Sequence, residues 1–371
     1  MIERILQKDI NQRLKSGKAI VVIGPRQVGK TTLIKKILDK KDYLFFSGDE
    51  LESHAKLSNL SIEKLKYVIG NYKIIFVDEA QRIKNIGLTL KMVTDHYKEV
   101  MLIVGGSSAF EIKDSINEPL TGRKWEYELF PISWFELEKT YGFIKSEQQL
   151  EYRLLYGNYP EVINNPGDEK RVLQMLINSY LFKDVLSLYD IRKPDVMIHL
   201  VRALALQIGS EVSFNELSQI LETDKKTISN YIHILEKGYI IFRLSSFSRN
   251  IRNEIKFNQK VYFYDTGIRN AILGNFTFLN SRNDLGELWE NFLISERLKK
   301  NKYEFSFANS YFWRNVSKQE IKYVEEVDGK ITGYEIKWRP NSKTRIPKIF
   351  KERYDAEVKI IHRENFRDFL M

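Results

Sequence analysis

Ala19-Ile-Val-Val-Ile23 runs without a break into Gly24-Pro-Arg-Gln-Val-Gly-Lys-Thr31, and this junction decides the fold. The first stretch is short, apolar and mostly β-branched, as a buried strand is. The next eight residues fit G-x-x-x-x-G-K-[ST] at every fixed position. Leu33, Ile34, Ile37 and Leu38 then fall on one helical stripe. Strand, glycine loop and helix in that order make a phosphate cradle. The loop amides curl around phosphate oxygens, and the helix N-terminus adds its partial positive charge. The stretch Gly24, Pro25, Arg26, Gln27, Val28, Gly29, Lys30, Thr31 and Thr32 is therefore the expected nucleotide site. Lys30 is expected to reach the β- and γ-phosphates, and the Thr31 hydroxyl to ligate Mg²⁺.

A second part follows at Lys73-Ile-Ile-Phe-Val-Asp-Glu-Ala80, an apolar strand ending in paired acids. Asp78 is expected to support the metal, and Glu79 to orient and deprotonate the attacking water. Val100-Met-Leu-Ile-Val104 reads as a third strand, running into Gly105-Gly-Ser-Ser108. A polar side chain at that tip suits sensing of the γ-phosphate or the water, and Ser107 is chosen over Ser108. The alternative there is a simple turn. No Asn-Lys-x-Asp guanine signature is present, which favours ATP over GTP.

Composition sets the outer bounds. At 371 residues the chain has room for two to three domains. Hydrophobic residues at 43% and aromatics at 13% exclude a disordered or fibrous chain. The absence of cysteine excludes disulfides, thiolate zinc sites and a cysteine nucleophile, and it suits a cytoplasmic location. No apolar run approaches the roughly 20 residues of a membrane helix, and Met1–Lys8 has no signal-peptide core, so no membrane partner is expected.

Charge is unevenly spread. The net charge is +10, and Lys225 to Gly274 holds nine basic residues against three acidic. Ile331 to Met371 holds ten against six, so these two segments account for the whole excess. A polyanion site is therefore expected in the C-terminal half.

Tyr152 to Ile191 reads as a helical connector, and a tri-helical pattern follows it. Leu200 to Ile208 gives the first helix, and Ser213-Phe-Asn-Glu216 a capping box that opens the second. Lys225 to Glu236 gives the third, with Ile228, Tyr231, Ile232 and Leu235 inward, and Tyr239-Ile-Ile-Phe242 reads as a wing strand. This spacing is that of a winged helix-turn-helix. Lys225 and Lys226 open its third helix, whose outward face carries Lys226, Thr227, Ser229, Asn230 and His233, as candidates for contact with DNA. Docking of a protein partner through the same module is the alternative.

Several of these stretches together resemble a prokaryotic branch of the AAA-type ATPases. They are Pro25 to Thr32, Asp78-Glu-Ala-Gln-Arg82, Gly106-Ser-Ser108, and Leu120-Thr-Gly-Arg123 running on to Leu129-Phe-Pro-Ile-Ser-Trp-Phe-Glu136. The resemblance implies an arginine at the γ-phosphate site, in the same subunit or from a neighbour, and Arg123 is the candidate. An ordinary surface ion pair is the other reading of Arg123. An action in trans would imply a homo-oligomer.

Farther on come Lys260-Val-Tyr-Phe-Tyr-Asp-Thr-Gly267, Gly286-Glu-Leu-Trp-Glu-Asn-Phe292, Tyr311-Phe-Trp-Arg314, Glu320-Ile-Lys-Tyr-Val324 and Gly333-Tyr-Glu-Ile-Lys337. This series resembles the C-terminal half that accompanies the same ATPase branch, and it implies a restriction-endonuclease-type fold. Strand alternation puts Glu335 and Lys337 on one face, and Glu287 is expected to approach from the helix. Lys322 occupies the place of the metal-bridging aspartate, where it would repel Mg²⁺ and could pair with Glu335 and Glu287. Glu320 lies on the same face about 6.6 Å away, too far to serve without a register change. The nuclease-like site is thus read as degenerate.

The whole is expected to be an α/β protein of four parts. A P-loop AAA-type ATPase domain spans 1–145, a helical connector 146–198, a winged helix-turn-helix 199–250, and a small α/β endonuclease-like domain 251–371. Its expected activity is Mg²⁺-dependent ATP binding with slow hydrolysis, its nucleotide state controlling DNA binding. The rivals are a signalling switch that docks a protein partner and an ATP-regulated nuclease.

Overall fold

The computed structural model describes residues 2–106, 120–179, 191–248, 259–342 and 344–371. Contacts divide the chain into two units. One comprises Met1–Pro131 and Lys237–Tyr239, the other Ile132–Glu236 and Ile240–Met371.

The first unit is built on β1 (Ala19–Ile23), β2 (Leu44–Ser47), β3 (Ile74–Asp78), β4 (Met101–Gly106) and β5 (Lys124–Glu128). Their order is β2-β3-β4-β1-β5, and every pairing is parallel. A central parallel strand is covered on both faces, and so β1 is apolar and buried at every residue. Val21 and Ile23 join Val77, Val104, Ile86 and Leu90 in one cluster. Each such side chain contributes about 1.5–3 kcal/mol by leaving water. Parallel pairing also brings the carboxyl ends of all five strands to one edge, where the residues after β1 meet the ends of β3 and β4.

The division after Pro131 falls earlier than the 145 boundary read from the sequence. The helix Trp134–Tyr141 belongs to the second unit, for a local reason. Ser133 and Glu136 form a capping box at its start. The Trp134 ring packs edge-on against Phe292 and Phe366, and its amide donates to Glu296 Oε2 at 2.6 Å.

The second unit carries β6 (Glu211–Val212), β7 (Ile241–Ser246), β8 (Gln259–Phe263), β9 (Asn309–Arg314), β10 (Glu320–Val327), β11 (Lys330–Ile336) and β12 (Glu357–Ile361). These form one sheet in the order β12-β11-β10-β9-β7-β8-β6. Strands on both sides of the 250/251 boundary therefore share a sheet, joined by the parallel pair β7–β9. Helices Pro194–Leu206, Phe214–Ile220 and Lys225–Lys237 precede β7, with β6 between the first two. The long helix Leu285–Tyr303 precedes β9, and it is buried at every residue from Leu288 to Glu296. Among the described residues, no helix is long and apolar enough to cross a membrane.

Candidate functional site

At the carboxyl end of β1 the chain turns through Gly24 at φ 148°, where a Cβ would lie 2.0 Å from the Leu129 carbonyl oxygen. Only glycine fits that approach. The helix Lys30–Ile37 then starts at the end of the loop. Lys30 is buried, and its Nζ folds back to donate to the carbonyls of Gly24 at 3.0 Å and Pro25 at 2.7 Å. The ammonium thus lies inside the loop that its own backbone forms.

Across the sheet edge, Thr31 Oγ1 donates to Asp78 Oδ2 at 2.6 Å. This contact is possible because β4, which separates β1 from β3, ends in glycines. A Cβ on Gly105 would lie 2.6 Å from Asp78 Oδ1, so the carboxylate occupies space that any other residue would fill. Asp78 and Thr31 fit a divalent cation: a hard carboxylate and a hydroxyl oxygen at hydrogen-bond distance, beside a buried lysine. Glu79 follows with φ 46°, a left-handed conformation that costs a non-glycine residue about 1 kcal/mol or more. Gln27, within the loop, has φ 62°. Strain of this kind collects where surrounding structure holds a functional geometry in place. The Glu79 carboxylate accepts from Gln81 Nε2 at 2.6 Å, and its amide donates to Asp78 Oδ1 at 3.1 Å.

Burial pushes the Lys30 ammonium down from 10.5 to about 8, with Glu79 and Asp78 opposing the shift. Burial likewise raises the Asp78 carboxyl, against the hydrogen bond from Thr31. A sign follows for ligand binding. The free protein loses the Lys30 proton as pH rises through about 8, whereas a bound polyphosphate favours the charged form. Affinity for ATP is therefore expected to be full below that pH and to fall above it, by up to about tenfold per pH unit. Calorimetric titrations at pH 7, 8 and 9 in buffers of different ionisation heat should show proton uptake on binding only at the higher values.

Arg4 was not foreseen in this setting. Its buried guanidinium donates to the Val28 carbonyl at 2.8 Å and to the Phe130 carbonyl at 2.5 Å. A trans peptide points its C=O and N–H opposite ways, so holding the Val28 carbonyl turns the Gly29 amide away from Arg4. An isolated arginine near the chain start carries no sequence signal for this.

Arg123 is a correction. Its carbonyl accepts from the Ala19 amide, at the start of β1, whereas the P-loop leaves the end of that strand. Five residues of strand place it about 16 Å from Gly24. Its Nε instead donates to Asp95 Oδ1 at 2.6 Å, and it holds the Asp95 carboxyl below the usual range. Arg123 is therefore not part of this chain's own phosphate site. Ser107 lies outside the described residues.

In the second unit the expected constellation is rearranged. Lys337 Nζ pairs with Glu335 Oε1 at 2.9 Å, and Glu335 is buried. Lys322 pairs with neither Glu335 nor Glu287. Its Nζ lies 3.1 Å from Glu290 and 3.3 Å from Glu320. Glu287 is exposed at the first turn of its helix, and Glu290, one turn on, is the acid that faces the sheet. Lys260, only 1% exposed, pairs with both Glu290 at 3.6 Å and Glu320. Tyr262, two residues along the same strand, donates to Glu290 at 2.7 Å.

Between Ile321 and Val324 the ladder of β10 with β9 shifts, around Lys322. Glu290 beside Lys322 holds its ammonium above the usual range, against the cost of burial. Burial opposes ionisation of Glu320, but Lys260 and Lys322 outweigh it and keep that carboxyl low. Lys322→Met leaves one lysine facing two carboxylates, and an expected cost of about 2 kcal/mol follows. A fall in the denaturation midpoint would register it, and Lys322→Met with Glu320→Gln should recover part.

The helix Lys225–Lys237 buries Ile228, Tyr231, Ile232 and Leu235. Lys225, Lys226, Asn230 and His233 are exposed and Ser229 is half-buried. Thr227 is held at the helix start, where its amide and hydroxyl donate to Asp224 at 2.8 and 2.6 Å. The charge count also changes meaning. Arg243 pairs with Glu236, Lys260 with Glu290 and Glu320, and Arg269 with Asp284. Those three cations are spent inside the fold.

Three stretches of the chain match known domain families. Residues 16–138 match an AAA domain, residues 147–278 the Domain of unknown function (DUF8612), and residues 285–368 the Domain of unknown function (DUF4143). The chain thus carries an AAA-type P-loop ATPase domain and a C-terminal domain of the DUF4143 kind. An uncharacterized protein of Methanocaldococcus jannaschii is 25% identical over 316 residues, 79% of this chain and 69% of that protein. An uncharacterized protein of Mycobacterium tuberculosis is 24% identical over 358 residues, covering 94% and 76%. Among solved structures, the Walker-type ATPase PABY2304 of Pyrococcus abyssi superposes with a TM-score of 0.54 at 16% identity, over 74% of this chain and 96% of its own. That likeness is one of fold.

Proposed function

We propose that the chain binds ATP with Mg²⁺ in the loop 24–32 and hydrolyses it slowly. The observation that carries this is the 2.6 Å contact of Thr31 with Asp78, made beside a lysine folded into the loop. Thr31 and Asp78 would hold Mg²⁺, which supplies positive charge against the phosphates. Lys30 exchanges the Gly24 and Pro25 carbonyls for phosphate oxygens, and the loop amides complete the cradle. Glu79 orients the attacking water and takes its proton, with Gln81 fixing the carboxylate.

The second reading, that nucleotide state governs DNA binding by the C-terminal half, is favoured by the exposed Lys225, Lys226, Asn230 and His233 on one helix. The order of helices and strands from Pro194 to Phe263 suits a winged helix, and the Leu285–Tyr303 helix with β9 to β12 suits a degenerate endonuclease-like domain. An active nuclease is disfavoured by the lysines already paired with Glu290 and Glu320. Phosphate release from Mg²⁺–ATP, with and without duplex DNA, tests both readings. Slow release that duplex DNA alters is expected. No release would overturn the ATPase, and a rate and DNA affinity indifferent to each other and to salt would overturn the coupling.

A further inference from the structure

The parallel pair β7–β9 divides the seven-stranded sheet. From the end of β7 the chain returns as β8, on one side, and from the end of β9 it returns as β10, on the other. Where two neighbouring parallel strands send the chain in opposite directions, a crevice opens beyond their carboxyl ends, and ligands favour such crevices. Here that crevice measures about 580 Å³, and Ser246, Phe247, Trp313, Arg314, Lys318 and Arg353 line it.

Its charge is one-sided. Among the described residues, Glu211 is the one acidic residue of the lining, and Arg314 Nη1 already pairs with it at 2.6 Å. Lys318 and Arg353 are exposed, and among the described residues neither has a carboxylate partner. Arg353 lies over the Tyr354 ring, 5.6 Å from its centre. Lys318 and Arg353 are thus the exposed cations of the lining, and Phe247 and Trp313 are buried members of it. That arrangement suits an anionic chain passing over the crevice, held from the sides, more than a small molecule enclosed by it.

We propose that this crevice holds the phosphodiester backbone of a single nucleic-acid strand, with Lys318 and Arg353 on its phosphates. The proposal deepens the nucleic-acid reading given above and rests on it, but it moves the contact from the helix Lys225–Lys237 to the ends of β7 and β9. Two cations at one opening suit a flexible single strand, whose backbone can follow a charged groove. Backbone contact of this kind is insensitive to base sequence and sensitive to salt.

The test uses the full chain and a fluorescein-labelled 20-residue oligothymidylate, titrated by anisotropy across a salt series. Lys318→Ala with Arg353→Ala should weaken binding about tenfold and flatten the slope of log affinity against log salt by about 1.4. Both side chains are exposed, so the melting temperature should not move. Lys225→Ala with Lys226→Ala removes the same charge from the helix and should weaken oligothymidylate binding less than the crevice variant does. Unchanged affinity and slope in the crevice variant, with loss in the helix variant, would overturn the crevice and leave nucleic-acid binding standing. An unmodified chain that binds neither the oligonucleotide nor a duplex would overturn both.

Discussion

Replacing Lys30 with alanine is expected to weaken Mg²⁺–ATP binding by on the order of a thousandfold, about 4 kcal/mol. The size follows from where the charge sits. Lys30 is 5% exposed, and its ammonium is already drawn into the loop by the Gly24 and Pro25 carbonyls. A cation placed there meets the phosphates with little water between, and its removal leaves them facing only amide dipoles. Some affinity should survive, because the loop amides and the helix N-terminus remain. Stability without nucleotide should hold or rise slightly, since a buried charge costs desolvation. Calorimetric titration paired with thermal unfolding separates the two effects. An affinity within threefold of the unmodified chain would remove Lys30 from the phosphate site.

Glu79→Gln is expected to slow turnover by about a thousandfold while ATP still binds. Glutamine keeps the shape of the side chain and its reach to Gln81, and the left-handed backbone at residue 79 need not change. What it loses is the capacity to take a proton. Single-turnover phosphate release, measured beside equilibrium ATP affinity, reads the split directly. Loss of affinity with an unchanged rate would assign Glu79 to binding.

The nucleotide site was legible in the sequence because chemistry dictates its residue types. Gly24, Lys30, Thr31, Asp78 and Glu79 stand in a spacing that few other structures need. Gly105 was visible as a strand end but not as the space that Asp78 fills, because that depends on β4 lying between β1 and β3. Arg123 misled for a related reason. Sequence order sets it after the third strand, but sheet direction sets it at the opposite edge from the loop.

The second unit was harder to read. From Leu288 to Glu296 its long helix is buried on every side, so no stripe separated Glu290 from Glu287. Lys260 looked like one more surface charge in a basic segment, and it proved to be a buried counter-ion. Net charge counts side chains without their partners. Lys322 was singled out in the sequence as a cation expected to pair with acids, but its partners Glu290 and Glu320 depend on a bulge that composition cannot display.

The most direct test of the central claim is an equilibrium titration of the full chain with ATP at neutral pH, with Mg²⁺ and again with excess chelator. The expected result is one nucleotide bound per chain at micromolar to sub-millimolar affinity, on the order of typical substrate constants. Binding should be weakened by Mg²⁺ removal and by Asp78→Ala, in each case more than by Ser229→Ala. Failure to bind ATP at millimolar concentration, or binding indifferent to both Mg²⁺ and Asp78, would contradict the assignment of this loop as an ATP site.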